Sequence, residues 1–295
     1  MRIGYACLTV GVENTTIRTC RLASATHERL VEVVKANLTA LNGILDYNAQ
    51  NKIRMFRISS DIIPFGSKEA ITFPWQKLFA KQLQALGKKA RDNDIRLSMH
   101  PGQYTVLNSP HDHVVENAMR DLEYHCAFLD ALKMDDTNKI ILHIGGIYGD
   151  KPSAIERFKK QYQKLSSRIK HRLIIENDDT CYNAEEVLAI GEELSIPVVF
   201  DTLHHAINAS PKKRSQIDWM KACEKTWKKQ DGTQKIHYSQ QAKDKRPGSH
   251  SETINLPSFL AFFKSLPSHK LDIMLEVKDK NISAMKCLQA IKELE

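Results

Sequence analysis

Eight times along this chain a short run rich in branched residues gives way to a longer segment of helical period, and no other feature limits the fold as much. The strand candidates are 2–7, 53–59, 95–100, 139–144, 172–176, 198–201, 234–239 and 272–277. Between the first two, Leu30, Val34, Leu38, Leu41 and Leu45 recur at spacings of three and four and form one apolar stripe. Pro74 and Pro152 suit first-turn positions, and Asn183 with Glu186 makes a capping-box pattern. Strict βα alternation predicts a parallel sheet with helical crossovers. Eight units in 295 residues fit a closed (β/α)8 TIM barrel, which takes about 250 residues. An open doubly wound sheet would be the alternative. No GxGxxG follows the first strand, however, so no nucleotide cofactor is expected. With no linker-like or low-complexity segment, residues 1–295 are expected to form a single domain. The long polar stretch 239–257 is expected to be a functional loop.

Six successive strand candidates carry an imidazole or carboxylate near their C-terminal ends: His100, His143, Glu176, Asp201, His237 and Glu276. In a barrel those ends meet at one mouth, where such enzymes hold their active sites. Taken singly, a strand-ending Asp is more often a helix cap and a lone His a rim residue. Six together are a different matter. Three gathered carboxylates repel one another unless cations offset them, and mixed His and carboxylate sets suit zinc, manganese or similar ions. His204, three residues beyond Asp201, and His250 in the long loop could hold a third ion, with His205 as a substitute for His204 on spacing alone. His27, His125, His171 and His269 are read as facing away, and Asp112, between His111 and His113, as a helix cap.

Residues two before each ligand share its face of the strand: Ser98, Ile141, Ile174, Val199, Lys235 and Met274. Lys235 is the exception in a set otherwise fit for a packed interior. A buried ammonium needs anionic partners, so Lys235 either pairs with site carboxylates and bound phosphate or is converted to a carbamate.

Composition enters here. The net charge is +8 with a pI near 9.1, and basic blocks such as Lys212-Lys213-Arg214 suit a polyanion, although a solvated basic face is the simpler explanation. Six cysteines without a CxxC pair argue against a disulfide scaffold or zinc ribbon. The N-terminus lacks the long apolar core of a signal peptide, and no apolar run approaches the roughly 20 residues that span a bilayer. A soluble, cytoplasmic protein with no membrane association is expected.

The motifs HPGQY (100–104), LNSP (107–110), LHIGG (142–146), IENDD (175–179) and FDTLHH (200–205) resemble those of the UV-damage endonucleases. GYACL at the start, FRISSDIIPFGS (56–67), KIHYSQ (235–240), GSHSE (248–252) and MLEVKDK (274–280) extend the resemblance over nearly the whole chain. It implies a barrel akin to the endonuclease IV and xylose-isomerase groups. It also implies two to three divalent ions, manganese foremost with zinc, cobalt or magnesium as alternatives, and nicking immediately 5′ of photoproducts in damaged double-stranded DNA. By the same resemblance, His100, His143 and Glu176 hold one ion. Glu176, Asp201, His237 and Glu276 hold a second, and His204 and His250 a third. Gln103 and Tyr104 are implied to probe the gap left by damaged bases, and Tyr5 to lie on the site's floor against the lesion strand. Glu176, Glu276 and Lys235 are the candidate catalytic groups, with Lys235 also expected to reach DNA phosphate.

There are two departures. Ser67-Lys68 stands where the family commonly has Ser-His or Thr-His, and LTVGVENTT (8–16) lacks a clear match. No obligatory protein partner is expected. A sugar isomerase with a two-ion barrel site would explain the carboxylates equally well, but not the Gln103-Tyr104 loop, His204, His250 or the basic surface. A non-catalytic damage binder would not need so full a ligand set.

Overall fold

The computed structural model describes residues 1–68, 70–268 and 270–294. Its strands are β1 (Ile3–Ala6), β2 (Met55–Ile58), β3 (Arg96–Met99), β4 (Ile140–His143), β5 (Leu173–Glu176), β6 (Val198–Asp201), β7 (Lys235–Tyr238) and β8 (Asp272–Leu275). Each pairs in parallel with the next, and β8 returns to β1, closing the barrel. The strands are shorter than the apolar runs predict. Ile53 and Ile95 stay buried, but their amides donate to Asn48 and Ala90 of the preceding helices rather than to a neighbouring strand. His100 and Glu276 accordingly stand one residue beyond β3 and β8. Between β3 and β4 the ladder is sparse, and the Asn138 side chain takes the Leu97 amide at 2.8 Å in place of a strand carbonyl.

The helices are α1 (His27–Gln50), α2 (Trp75–Leu78), α3 (Ala80–Asp92), α4 (Asp112–Ala131), α5 (Lys151–Lys164) and α6 (Ser167–Arg172). They continue with α7 (Ala184–Leu194), α8 (Thr202–Ile207), α9 (Gln216–Glu224), α10 (Leu256–Ser265) and α11 (Asn281–Lys292). All five leucine and valine positions of the α1 stripe are buried. Asn183 caps α7 while Glu186 returns to the Asn183 amide at 3.0 Å, a complete capping box. Pro152 lies in the first turn of α5. Pro74 sits one step earlier than expected, at the N-cap of α2. Asp112 is not a cap: His111 holds that position without a side-chain bond, and Asp112 lies in the first turn, where its charge suits the helix dipole. None of the described helices is long and apolar enough to cross a membrane.

Alternation along the strands sorts side chains into two cores. Outward residues such as Ile3, Phe56, Leu97 and Ile175 join the large core under the helices. Inside the barrel, Ala6, Met55 and Met274 form one small cluster and Ile141, Ile174 and Val199 another. Ser98 and Lys235 complete the expected inner set and are fully buried. The N-terminal end of the barrel is closed by ion pairs: Arg96 to Asp272 at 2.9 Å and Lys139 to Asp231 at 2.6 Å. Chemistry is left to the opposite end.

Candidate metal centre

Glu176, the last residue of β5, is 1% exposed and lies at the centre of the C-terminal mouth. His237 on β7 meets its Oε1 through Nδ1 at 2.6 Å, and His100 and His143 approach its Oε2 through Nε2 at 3.3 and 3.8 Å. Two sets of ligand atoms are close enough to embrace an ion: His100, His143 and Glu176, and Glu176, Asp201 and His237. Glu176 belongs to both.

Backbone groups orient the imidazoles. His100 Nδ1 lies 3.0 Å from the Pro101 carbonyl and His204 Nδ1 2.9 Å from that of Asn177, which leaves each Nε2 for the site. Asp201 does two jobs. Its Oδ1 caps α8 by accepting from the His204 amide at 2.7 Å, as a strand-ending Asp often does, while its Oδ2 is buried without a hydrogen-bond partner among the described residues. Glu176 Oε2, His143 Nδ1 and His237 Nε2 are in the same condition. Buried polar atoms are rarely left unpaired, and the orphaned carboxylate oxygens of Glu176 and Asp201, set beside imidazoles, belong to the kind of donor set a divalent cation satisfies.

The same neighbours set the protonation of the cluster in the metal-free protein. Burial alone would push Glu176 up, but His237, His100 and His143 hold it well below the usual carboxylate range. Burial pushes Asp201 up to about 6, His204 opposing and Glu176 adding to the rise. Burial would lower His204, yet Asp201 and Glu176 push it up to about 9.

The other expected residues fall at different depths. Glu276 adjoins the second set, 3.2 Å from His237, but it forms an ion pair with Arg57. Arg57, at the inner end of β2, escaped the sequence reading, although the period-two rule applied to β2 would have found a charged residue facing the mouth. The 239–257 loop folds back on itself through a Gln241–His250 bridge and an Ala242 amide to Ser249 carbonyl bond of 2.7 Å. That fold sets His250 Nδ1 against the Glu276 carbonyl and its ring 6.4 Å from that of His204. Gly248 has φ +85°, a backbone conformation that residues with a side chain rarely adopt, so the hairpin favours glycine at this point.

His205 turns away into the contact with Phe200 and Trp219, which leaves His204 as the residue facing the site. His125 is buried against the Asp121 carbonyl and Ser60 Oγ, and His27 and His171 are exposed on helices. His269 lies outside the described residues. Gln103 and Tyr104 project from the loop after β3, Tyr104 with 68% of its surface exposed.

Two placements correct the expectation. Tyr5 is not on the floor of the site. It points outward beneath α1, fully buried, with its hydroxyl on Thr9 and Asn48 at 2.7 and 2.8 Å, so none of its surface is open to DNA. Lys235 does point inward, but one layer below the ligands and with no exposed surface, too deep to touch phosphate. Its Nζ has no hydrogen-bond partner among the described residues, and burial, with Arg96, holds its pKa well below the ordinary lysine value.

The family model described as UV-endonuclease UvdE matches residues 1–295. The chain belongs to the UV-endonuclease family. Among its relatives is a UV DNA damage endonuclease of Clostridium perfringens, 46% identical over 295 residues, all of this chain and 71% of that protein. The solved structure of SacUVDE is 38% identical and superposes with a TM-score of 0.94, covering 100% of this chain and 99% of the other. Endonuclease IV from Thermus thermophilus, at 11% identity and TM-score 0.62 over 98% of both chains, shares the barrel fold. In this member of the UV-endonuclease family, Lys68 is exposed and lies over the Phe65 ring at 5.9 Å.

Proposed function

We propose that the chain is a metal-dependent endodeoxyribonuclease that hydrolyses the phosphodiester immediately 5′ of ultraviolet photoproducts in double-stranded DNA, leaving a 3′-hydroxyl and a 5′-phosphate. The observation that carries this reading is Glu176, shared by two ligand sets at the barrel mouth of a chain that matches the family throughout. His100, His143 and Glu176 would hold one divalent ion, and Glu176, Asp201, His237 and Glu276 a second. His204 and His250 would hold a third, with manganese the first candidate metal. Such ions lower the pKa of bound water and stabilise charge on the leaving oxygen.

The protein's own groups supply the rest. The carbonyls of Pro101 and Asn177 fix two imidazole orientations before substrate arrives. Glu276, 11% exposed and held ionised by Arg57, orients the attacking water, while Glu176 lies too deep for that part. Lys235 supports the ligand layer from below, as a neutral amine or as the carbamate formed when that amine takes up carbon dioxide and releases a proton. Gln103 and Tyr104 enter the duplex where damaged bases leave the stack, which costs least at a lesion. The sugar-isomerase alternative has only remote barrel likenesses on its side, and a likeness of that kind carries fold alone.

The test is nicking of ultraviolet-irradiated supercoiled plasmid. The protein should relax irradiated plasmid and spare the unirradiated control, and Glu176→Ala or excess EDTA should abolish the activity. Equal nicking of both plasmids, or full activity in the Ala variant, would refute the reading.

A further inference from the structure

The loop from β4 to α5, residues 144–150, is built with unusual backbone. Gly145 has φ +115° and Gly149 φ +76°, and between them Tyr148 sits at φ +51°, a conformation that a bulky side chain seldom adopts. Glycine or asparagine would make this turn without strain. Instead a tyrosine stands there with 44% of its surface exposed, next to Ile147 at 39%. The base of the loop is rigid: the Gly146 carbonyl accepts from Asn108 Nδ2 at 2.7 Å and from the Tyr182 hydroxyl at 3.1 Å, and both of those side chains are fully buried. One side of the Tyr148 ring is also supported. The Arg157 guanidinium lies 5.5 Å from the ring centroid and is itself held by its Nε donating to the Asn108 carbonyl at 2.8 Å. The ring borders a cavity of about 460 Å³ whose other walls include His100, His143, His204 and Gln103.

An exposed aromatic face backed by a cation, on a strained but braced turn beside the metal centre, has the properties of a stacking platform. Bases in an intact duplex are hidden in their own stack, so such a ring can engage only a base that has left it. We propose that Tyr148 is a specificity-determining residue that stacks on an unstacked nucleobase of damaged DNA, at the cavity that Gln103 also lines. This rests on the reading of the chain as a damaged-DNA nuclease.

The experiment compares wild type, Tyr148→Ala and Tyr148→Phe on a duplex with a single photoproduct and on its undamaged twin. Binding and kcat/KM are measured on each, with 2-aminopurine placed beside the lesion to report stacking. Tyr148→Ala should bind and cut the damaged duplex roughly 5- to 150-fold less well, the range expected when one base–aromatic stack is removed. It should leave binding to the undamaged duplex and the thermal midpoint unchanged and relieve the 2-aminopurine quenching, and Phe should restore binding, cutting and quenching on the damaged duplex. A Tyr148→Ala protein that discriminates as well as wild type would overturn the role of Tyr148 alone. So would an equal loss on both duplexes, or a failure of Phe to restore discrimination. Wild-type protein that neither binds nor cuts the damaged duplex would overturn the nuclease reading itself.

Discussion

At the scale of single residues, the gathering of His100, His143, Glu176, Asp201 and His237 was legible because each stands at or beside the C-terminal end of a strand, and strand ends in a barrel converge. What the sequence concealed is depth and side. Tyr5 sits at an odd register in β1 and faces the helices, whereas Lys235 shares the inner face of His237 but lies one layer down. Period two tells the faces apart, but only the barrel's stagger tells the layers apart. Lys235→Met keeps the stem and removes the amine, so the fold should survive while turnover falls; wild-type turnover would exclude Lys235 from the site. Intact mass under native conditions would reveal added carbon dioxide. His204 gives a prediction in pH. In metal-free protein its pKa is raised to about 9 against roughly 6.5 in the unfolded chain. Its proton therefore adds stability that is complete below the unfolded value and is lost as pH rises through 9. The melting temperature of EDTA-treated protein should fall between pH 7 and 9, and His204→Gln should flatten that decline.

Among the elements, the loops decide function and the strand bottoms decide stability. HPGQY could be read as a loop over the site from its place after a ligand-bearing strand, but its support could not. Ser60 Oγ donates to the His100 carbonyl at 2.7 Å and touches His125, and Thr105 bonds Asp121 at 2.7 Å, so residues distant in sequence brace this loop. Replacing Gln103 and Tyr104 together by Ala should reduce cutting of photoproduct DNA while leaving metal content unchanged; an unaltered rate on damaged duplex would count against their probing role. At the other end of the barrel, Asp272→Ala would strand Arg96, whose guanidinium is buried, and should cost about 3–5 kcal/mol in urea denaturation.

For the whole molecule, the eightfold alternation carried the barrel, because parallel neighbours joined by helices leave few other closures. Strand limits were less legible, since buried apolar residues such as Ile53 and Ile95 extend the pattern without joining the ladder. The net charge of +8 is a property of the entire surface and predicts polyanion binding that weakens steeply with salt, by about 0.9 log units per log unit of salt for each phosphate contacted. A flat response would argue against DNA. The most direct test of the account uses a 5′-labelled duplex with one photoproduct, resolved to the nucleotide. The account predicts a single incision directly 5′ of the lesion, ending in a hydroxyl that a polymerase can extend, abolished by EDTA and restored by manganese. An intact duplex after incubation with metal-loaded protein, or an incision that survives EDTA, would contradict it.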